Sequence, residues 1–332
     1  MDASSELHAP DLSTPSSAWL ERLLGFKNLE AALENLEGPR LFADVSSLEE
    51  LRGGLGLDDF DVLHSPHSRL PRFLESPSAL VYPRDPIEWD AYFAGISGTS
   101  KTLVVYVQNP QFYDGLTISP ELFVRFLEAL EPAKKIWERV VLVCDETLGD
   151  FSWELSDEAA QIARLPASVL AGWESYVCFR LEFLQAPNAA PRPALFWPVP
   201  KSPARWRSGK ELIASPVAWK LLQHDLNQGI ELVRFRHLSM RNLKLVGNAL
   251  SPFVARKKIE VEHWPLSGFH MSFKVVGRQN EDPELLIKRL ERQGFKLYPR
   301  SPGPGFVSFS FLVDHLPLGE GLKRLVASLE LL

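Results

Sequence analysis

Apolar residues change their spacing along this chain, and each change predicts a different kind of structure. After a polar arm over residues 1–17, the run WLERLLGFKNLEAALENL up to Leu36 places them at helical spacing. SLEELRGGL (Ser47–Leu55) opens on a serine N-cap signal and ends in glycines, which predicts a short helix. The middle of the chain turns to continuous apolar runs. TLVVYVQ (Thr102–Gln108) and RVVLVCDE (Arg139–Glu146) read as buried strands, followed by SYVCFR and PALFWPV. Between the first two, ISPELFVRFLEALEPAKK predicts a helix with Ser119 as N-cap, Pro120 at the first position and a basic last turn. Strands apolar on both faces, alternating with helices, predict a mostly parallel sheet covered on both sides.

The pattern changes again toward the C-terminus. Residues 216–250 form one long amphipathic helical stretch, with a kink expected near Gly229. Strands KKIEVEHW and GFHMSFKVV, helix PELLIKRLERQGF, strand GFVSFSFLV and helix GEGLKRLVASLELL complete a small α+β unit with a mostly antiparallel sheet. The expected fold class is α/β: a three-layer large domain plus a small α+β C-terminal domain. The expected division is 1–55 as an arm and helices contributing to the small domain, 56–225 as the large domain, and 226–332 as the small domain.

Composition narrows the function classes. The 332 residues are 45% hydrophobic and 23% charged, enough for a large core. A net charge of −6 argues against nucleic acid as a partner. Two cysteines, Cys144 and Cys178, make neither a disulfide framework nor a cysteine-rich zinc site. The first residues lack the basic and apolar regions of a signal peptide. No apolar run reaches about 18 residues, so no membrane span is expected, and a cytoplasmic location is.

Candidate chemistry lies where the apolar strands end, because ligands of open α/β sheets bind beyond the strands' carboxyl ends. Asn109-Pro110 follows the first buried strand and Asp145-Glu146 ends the second. N-P-Q-F-Y-D-G (Asn109–Gly115) and D-E-T-L-G-D-F (Asp145–Phe151) resemble, in this order and setting, the N-P-N-N-P-T-G and D-E-A-[YF]-x-D-F stretches of fold type I PLP-dependent aminotransferases. Within these, the chain looks most similar to the histidinol-phosphate aminotransferase and threonine-phosphate decarboxylase branch. WPLSGFHMSF, LERQGF and the closing helix are similar to that family's small domain. The resemblance spans roughly residues 18–332. It implies a PLP-transferase-like large domain and a dimer, with each active site built at the subunit interface.

The same resemblance exposes departures. In the family's lysine motif, Leu170, Ala171, Trp173, Val177, Arg180 and Arg192 fall in register, but the Schiff-base lysine position is Leu184 and the phosphate-binding hydroxyl position is Leu181. No lysine occurs between Lys135 and Lys201. The family's glycine-serine phosphate turn corresponds to VLHSPHSRL, with Pro66 and His67 in place of the donors. The tyrosine that touches the cofactor's phenolic oxygen is Leu148, and the substrate-carboxylate arginine position is Ser308. The chain is expected to be about 30 residues short between 66 and 109, losing a strand, a helix and the ring that stacks on the pyridine.

The resemblance therefore implies a degenerate site in which Asp145, Asn109 and Arg192 are residual PLP-site positions. No catalytic residue is assigned and no bound cofactor is expected. The expected role is a homodimer, or a heterodimer with a related aminotransferase, acting as a partner or regulatory subunit or as a binder of small anions. The alternative is an active PLP-dependent aminotransferase or decarboxylase with a displaced lysine such as Lys201 or Lys220. Asp145 pairs with a pyridinium nitrogen on one reading. On the other it caps a strand and meets Arg192 or Arg180. Arg192 marks a residual anion site or a buried ion pair, and Asn109 is a turn residue or a ligand contact. His64-x-x-His67 lacks a third ligand for a metal. GGLG (53–56) and SGTSK (97–101) are too short for a phosphate loop. The basic stretch Arg234–Lys244 is a solvated helix face.

Overall fold

The computed structural model describes residues 41–43, 52, 55–71, 74–145, 173–180, 194–198, 229–278, 281–292, 305–311 and 315–331. A seven-stranded sheet is built from β1 (Leu41–Ala43), β2 (Phe60–His64), β3 (Ala79–Val81), β4 (Thr102–Gln108), β5 (Arg139–Asp145), β6 (Glu174–Arg180) and β7 (Ala194–Pro198). Its order is β1-β7-β6-β5-β4-β2-β3. Strands β3, β2, β4, β5 and β6 run parallel, while β7 is antiparallel to both β6 and β1. All seven residues of β4 are buried, as are all but the first of β5. That explains their unbroken apolar pattern: a central parallel strand is covered on both faces.

Helix α1 (Trp89–Ala94) leads into β4, and α2 (Pro120–Leu130) connects β4 to β5. The N-cap expectation for α2 holds: the Ser119 hydroxyl accepts from Leu122 N–H at 3.2 Å, with Pro120 in the first turn. The buried stripe Phe123, Phe126, Leu127 and Leu130 faces inward. Phe126 meets Tyr82 and Trp89 at ring-centroid distances of 5.0 and 5.1 Å, which docks α2 beside α1.

The C-terminal part holds α3 (Gly229–Ala255), β8 (Ile259–Glu260), β9 (His270–Val275), α4 (Pro283–Arg292), β10 (Phe306–Ser310) and α5 (His315–Leu331). Its sheet, β10-β9-β8, is antiparallel throughout. Val246, Leu250, Phe273, Phe309 and Leu322 share its core, and Phe112, from the loop after β4, packs into the same core. Among the described residues no helix is long and apolar enough to cross a membrane.

Residues 41–43 pair with β7 at the far side of the large sheet, although 1–55 was expected to contribute to the small domain. Between 66 and 109 the chain forms β3 and α1. Their signal was weak because β3 is a three-residue edge strand without a buried run, the form in which exposed edges are kept short. Finally, KKIEVEHW forms only two strand residues. Pro265 and Gly268 follow closely, and the irregular chain between them and β8 is released to make contacts across the molecule. The expected kink near Gly229 falls on the first described residue of α3; residues 216–228 lie outside the described residues.

Candidate functional site

β4 and β5 end side by side, with Gln108 registered against Asp145. Period-two alternation puts Tyr106 on the same face as Gln108. Asp145 is 1% exposed, and Tyr106 Oη donates to its Oδ2 at 2.5 Å, with Gln108 Nε2 at 3.5 Å. Gln108 Oε1 in turn accepts from the Arg69 and Phe112 N–H groups at 3.0 and 3.2 Å. A buried glutamine thereby ties the loops after β2 and β4 to the carboxylate. A hydroxyl and an amide therefore help satisfy Asp145. Neither Tyr106 nor Gln108 stood out in the sequence, because both sit inside or at the end of an apolar run. The side chain of Arg180 and the whole of Arg192 lie outside the described residues.

Asn109 is 4% exposed and holds the loop it opens. Its Oδ1 accepts from Ile118 N–H at 2.9 Å, its Nδ2 donates to Ile118 O at 3.4 Å, and its own N–H donates to Asp145 O at 2.8 Å. The Asn109-Pro110 bond is cis. These hydrogen bonds fix the turn that Asn109 opens. Gly115 closes the loop at φ +65°, and a Cβ there would lie 2.0 Å from the Ser267 carbonyl oxygen. Glycine is required both for the backbone angle and for that approach.

The loop is also held from the C-terminal side. Ser272 Oγ and Ser308 Oγ, partners across β9 and β10, both donate to Tyr113 O, at 2.6 and 3.0 Å. Ser308, the position matched to the substrate-carboxylate arginine, is fully buried and carries this structural bond.

The turn after β2 directs its donors inward. The Ser65 hydroxyl accepts from His67 N–H at 3.2 Å, and Ser65 O accepts from Ser68 N–H at 3.1 Å. His64 and His67 do not converge. His64 Nδ1 lies 2.7 Å from Ser65 O, and burial lowers its pKa against that carbonyl's opposing effect. His67 Nδ1 lies 2.9 Å from Asp114 Oδ2. Among the described residues no group of three His, Cys, Asp or Glu could hold a metal ion.

Around Asp114 the fold assembles a cluster that the sequence did not announce. Arg84 and His263 reach the same Oδ2, each at 3.4 Å, and Arg84 also pairs with Glu262, which pairs with Lys274. Burial alone would raise the Asp114 carboxyl. The neighbouring His263 and His67 imidazoles outweigh it and hold the group well below the usual carboxylate range. These residues come from four separate connections and from β9, so no local spacing betrays them.

Glu146, Leu148, Leu181, Leu184, Lys201 and Lys220 lie outside the described residues. On the N-terminal side of that gap, the described lysines Lys101, Lys134 and Lys135 precede β4 and β5 and so stand at the sheet's opposite, amino edge.

No family model matches the chain, and no curated protein matches it in sequence. Solved structures do. LysN, the α-aminoadipate aminotransferase of Thermus thermophilus, complexed with N-(5'-phosphopyridoxyl)-L-leucine, superposes with a TM-score of 0.65 at 17% identity. That match covers 93% of this chain and 81% of LysN. MJ0684 of Methanococcus jannaschii, described as similar in its active site to kynurenine aminotransferases, gives 0.61 at 15% identity, covering 93% and 81%. At such identities the likeness is one of architecture. The chain has the α/β fold of the PLP-dependent aminotransferases of fold type I.

Proposed function

We propose that this chain is an aminotransferase-fold protein that does not perform PLP-dependent catalysis. The reading assigns it a role as a dimeric partner or regulatory subunit, or as a binder of a small anion. One observation carries it: residues 136–200 contain no lysine, and Leu184 stands where the family's motif places the Schiff-base residue. Transamination needs an amine that bonds the cofactor and then moves a proton. A leucine does neither, and loss of the general base alone costs roughly 10²–10⁴-fold. Three described positions support the reading: the Asn109 amide bonds Ile118, the Ser308 hydroxyl bonds Tyr113, and the His67 N–H bonds Ser65 Oγ.

A second reading, an active PLP enzyme using Lys201 or Lys220, draws support from the buried Asp145 at the end of β5 and from the fold. Adding pyridoxal phosphate to the purified protein separates the two. The first reading expects no Schiff-base absorbance band. A band that borohydride fixes onto a lysine-containing peptide overturns it.

A further inference from the structure

Connections between elements normally run over the surface, where water satisfies their backbone. The connection after β4 is buried instead: Asn109, Gln111, Phe112 and Asp114 are each 5% exposed or less. Its stem belongs to the large sheet. Asn109 N–H donates to Asp145 O at 2.8 Å, the Asn109 side chain brackets Ile118, and Phe112 N–H donates to Gln108 Oε1. The turn after β2 holds its flank. Ser65 Oγ donates to Gln111 Oε1 at 3.1 Å, and Tyr113 N–H donates to His67 O at 3.0 Å. The loop also closes on itself, with Gln111 N–H donating to Leu116 O at 2.8 Å and Gly115 N–H to Gln111 O at 3.0 Å.

Its tip belongs to the C-terminal part. Phe112 packs into that part's core, with its ring centroid 4.1 Å from that of His270 and 6.4 Å from that of Phe269. Tyr113 O accepts from Ser272 of β9 and Ser308 of β10, and Gly115 O accepts from Ser267 Oγ at 3.3 Å. Gly115 leaves no room for a methyl group against Ser267 O. Separating the two parts would therefore draw Phe112 out of an apolar core and strip three serine hydroxyls from their carbonyls together. The Arg84–Glu262 pair lies at the partly exposed rim of this joint, where an ion pair adds little.

We propose that loop 109–118 is a fixed tie between the large sheet and the C-terminal part. It makes them one body that unfolds as a unit and does not hinge. The stem is bonded to one part and the tip is packed into the other, so neither can move without breaking the loop's own bonds. The tie is independent of whether PLP binds.

Native-state hydrogen exchange of the whole protein in low urea tests it without any variant. The slowest amides of β4 and β5 and those of β9 and β10 should share one opening constant and one urea dependence. One set opening more than about tenfold more often than the other, with a shallower urea slope, overturns the tie. Ser272→Ala/Ser308→Ala then removes two donors to Tyr113 O from the C-terminal side alone. Exchange in both sets should quicken by the same factor, on the order of tenfold. A change confined to β9 and β10, or no change, overturns it. Gly115→Ala forces the loop off Ser267 O, so in that variant the two sets should part, with β9 and β10 the faster. Sets that stay together there assign the joint to other contacts and overturn the role of this loop.

Discussion

Replacing Tyr106 with phenylalanine would remove a hydroxyl that donates to a carboxylate almost wholly out of water. The ring stays and fills the same space, so the change isolates the bond. We expect a loss of about 1–3 kcal/mol, read as a lower urea midpoint at unchanged denaturant slope. An unchanged midpoint would mean that Tyr106 merely fills space beside Asp145. At this scale the sequence was half legible. Asp145 and Asn109 announced themselves as polar residues at the ends of apolar strands. What they touch did not, because Ile118, Tyr106 and Gln108 become their partners only through loop closure and strand register.

Single elements show the same division. The apolar run of β4 predicts a buried strand, but not that the loop before it is held by a buried acid in β2. Asp61 Oδ2 accepts from Thr99 N–H at 2.9 Å, Ser100 N–H at 3.2 Å and Trp137 Nε1 at 2.8 Å. SGTSK, too short for a phosphate loop, thus wraps a carboxylate of its own chain. A Cβ at Gly98 would lie 2.4 Å from the Trp137 ring, so only glycine passes there. Burial alone would raise the Asp61 carboxyl, but donors from Ser78, Trp137, Ser100 and Thr99 outweigh it and hold it well below the usual carboxylate range. A depressed folded-state pKa gives stability that is complete above the unfolded value and is lost as pH falls toward the folded one. The wild type's melting advantage over Asp61→Asn should therefore be flat near neutrality and shrink below about pH 4. An advantage that stays constant into strong acid would rule out this account.

For the whole molecule, the partner role predicts self-association, or co-purification with a related aminotransferase, at micromolar concentration. Sedimentation of a lone monomer that captures nothing would count against it. The sequence by itself determined the α/β class, the mostly parallel large sheet, the antiparallel C-terminal sheet and the absence of a lysine over residues 136–200. These are properties of periodicity and composition, which local residues carry. Tertiary structure alone decided that β1 joins the large sheet and that the three-residue β3 pairs at its other edge. It also turned Ser308 into a tie to Tyr113 and brought His67, Arg84, Asp114 and His263 around one oxygen. The physical reason is separation along the chain. His263 and Asp114 share no period, motif or spacing; the packing of Phe112 into the C-terminal core and the bonds of Ser272 and Ser308 to Tyr113 bring their loops together.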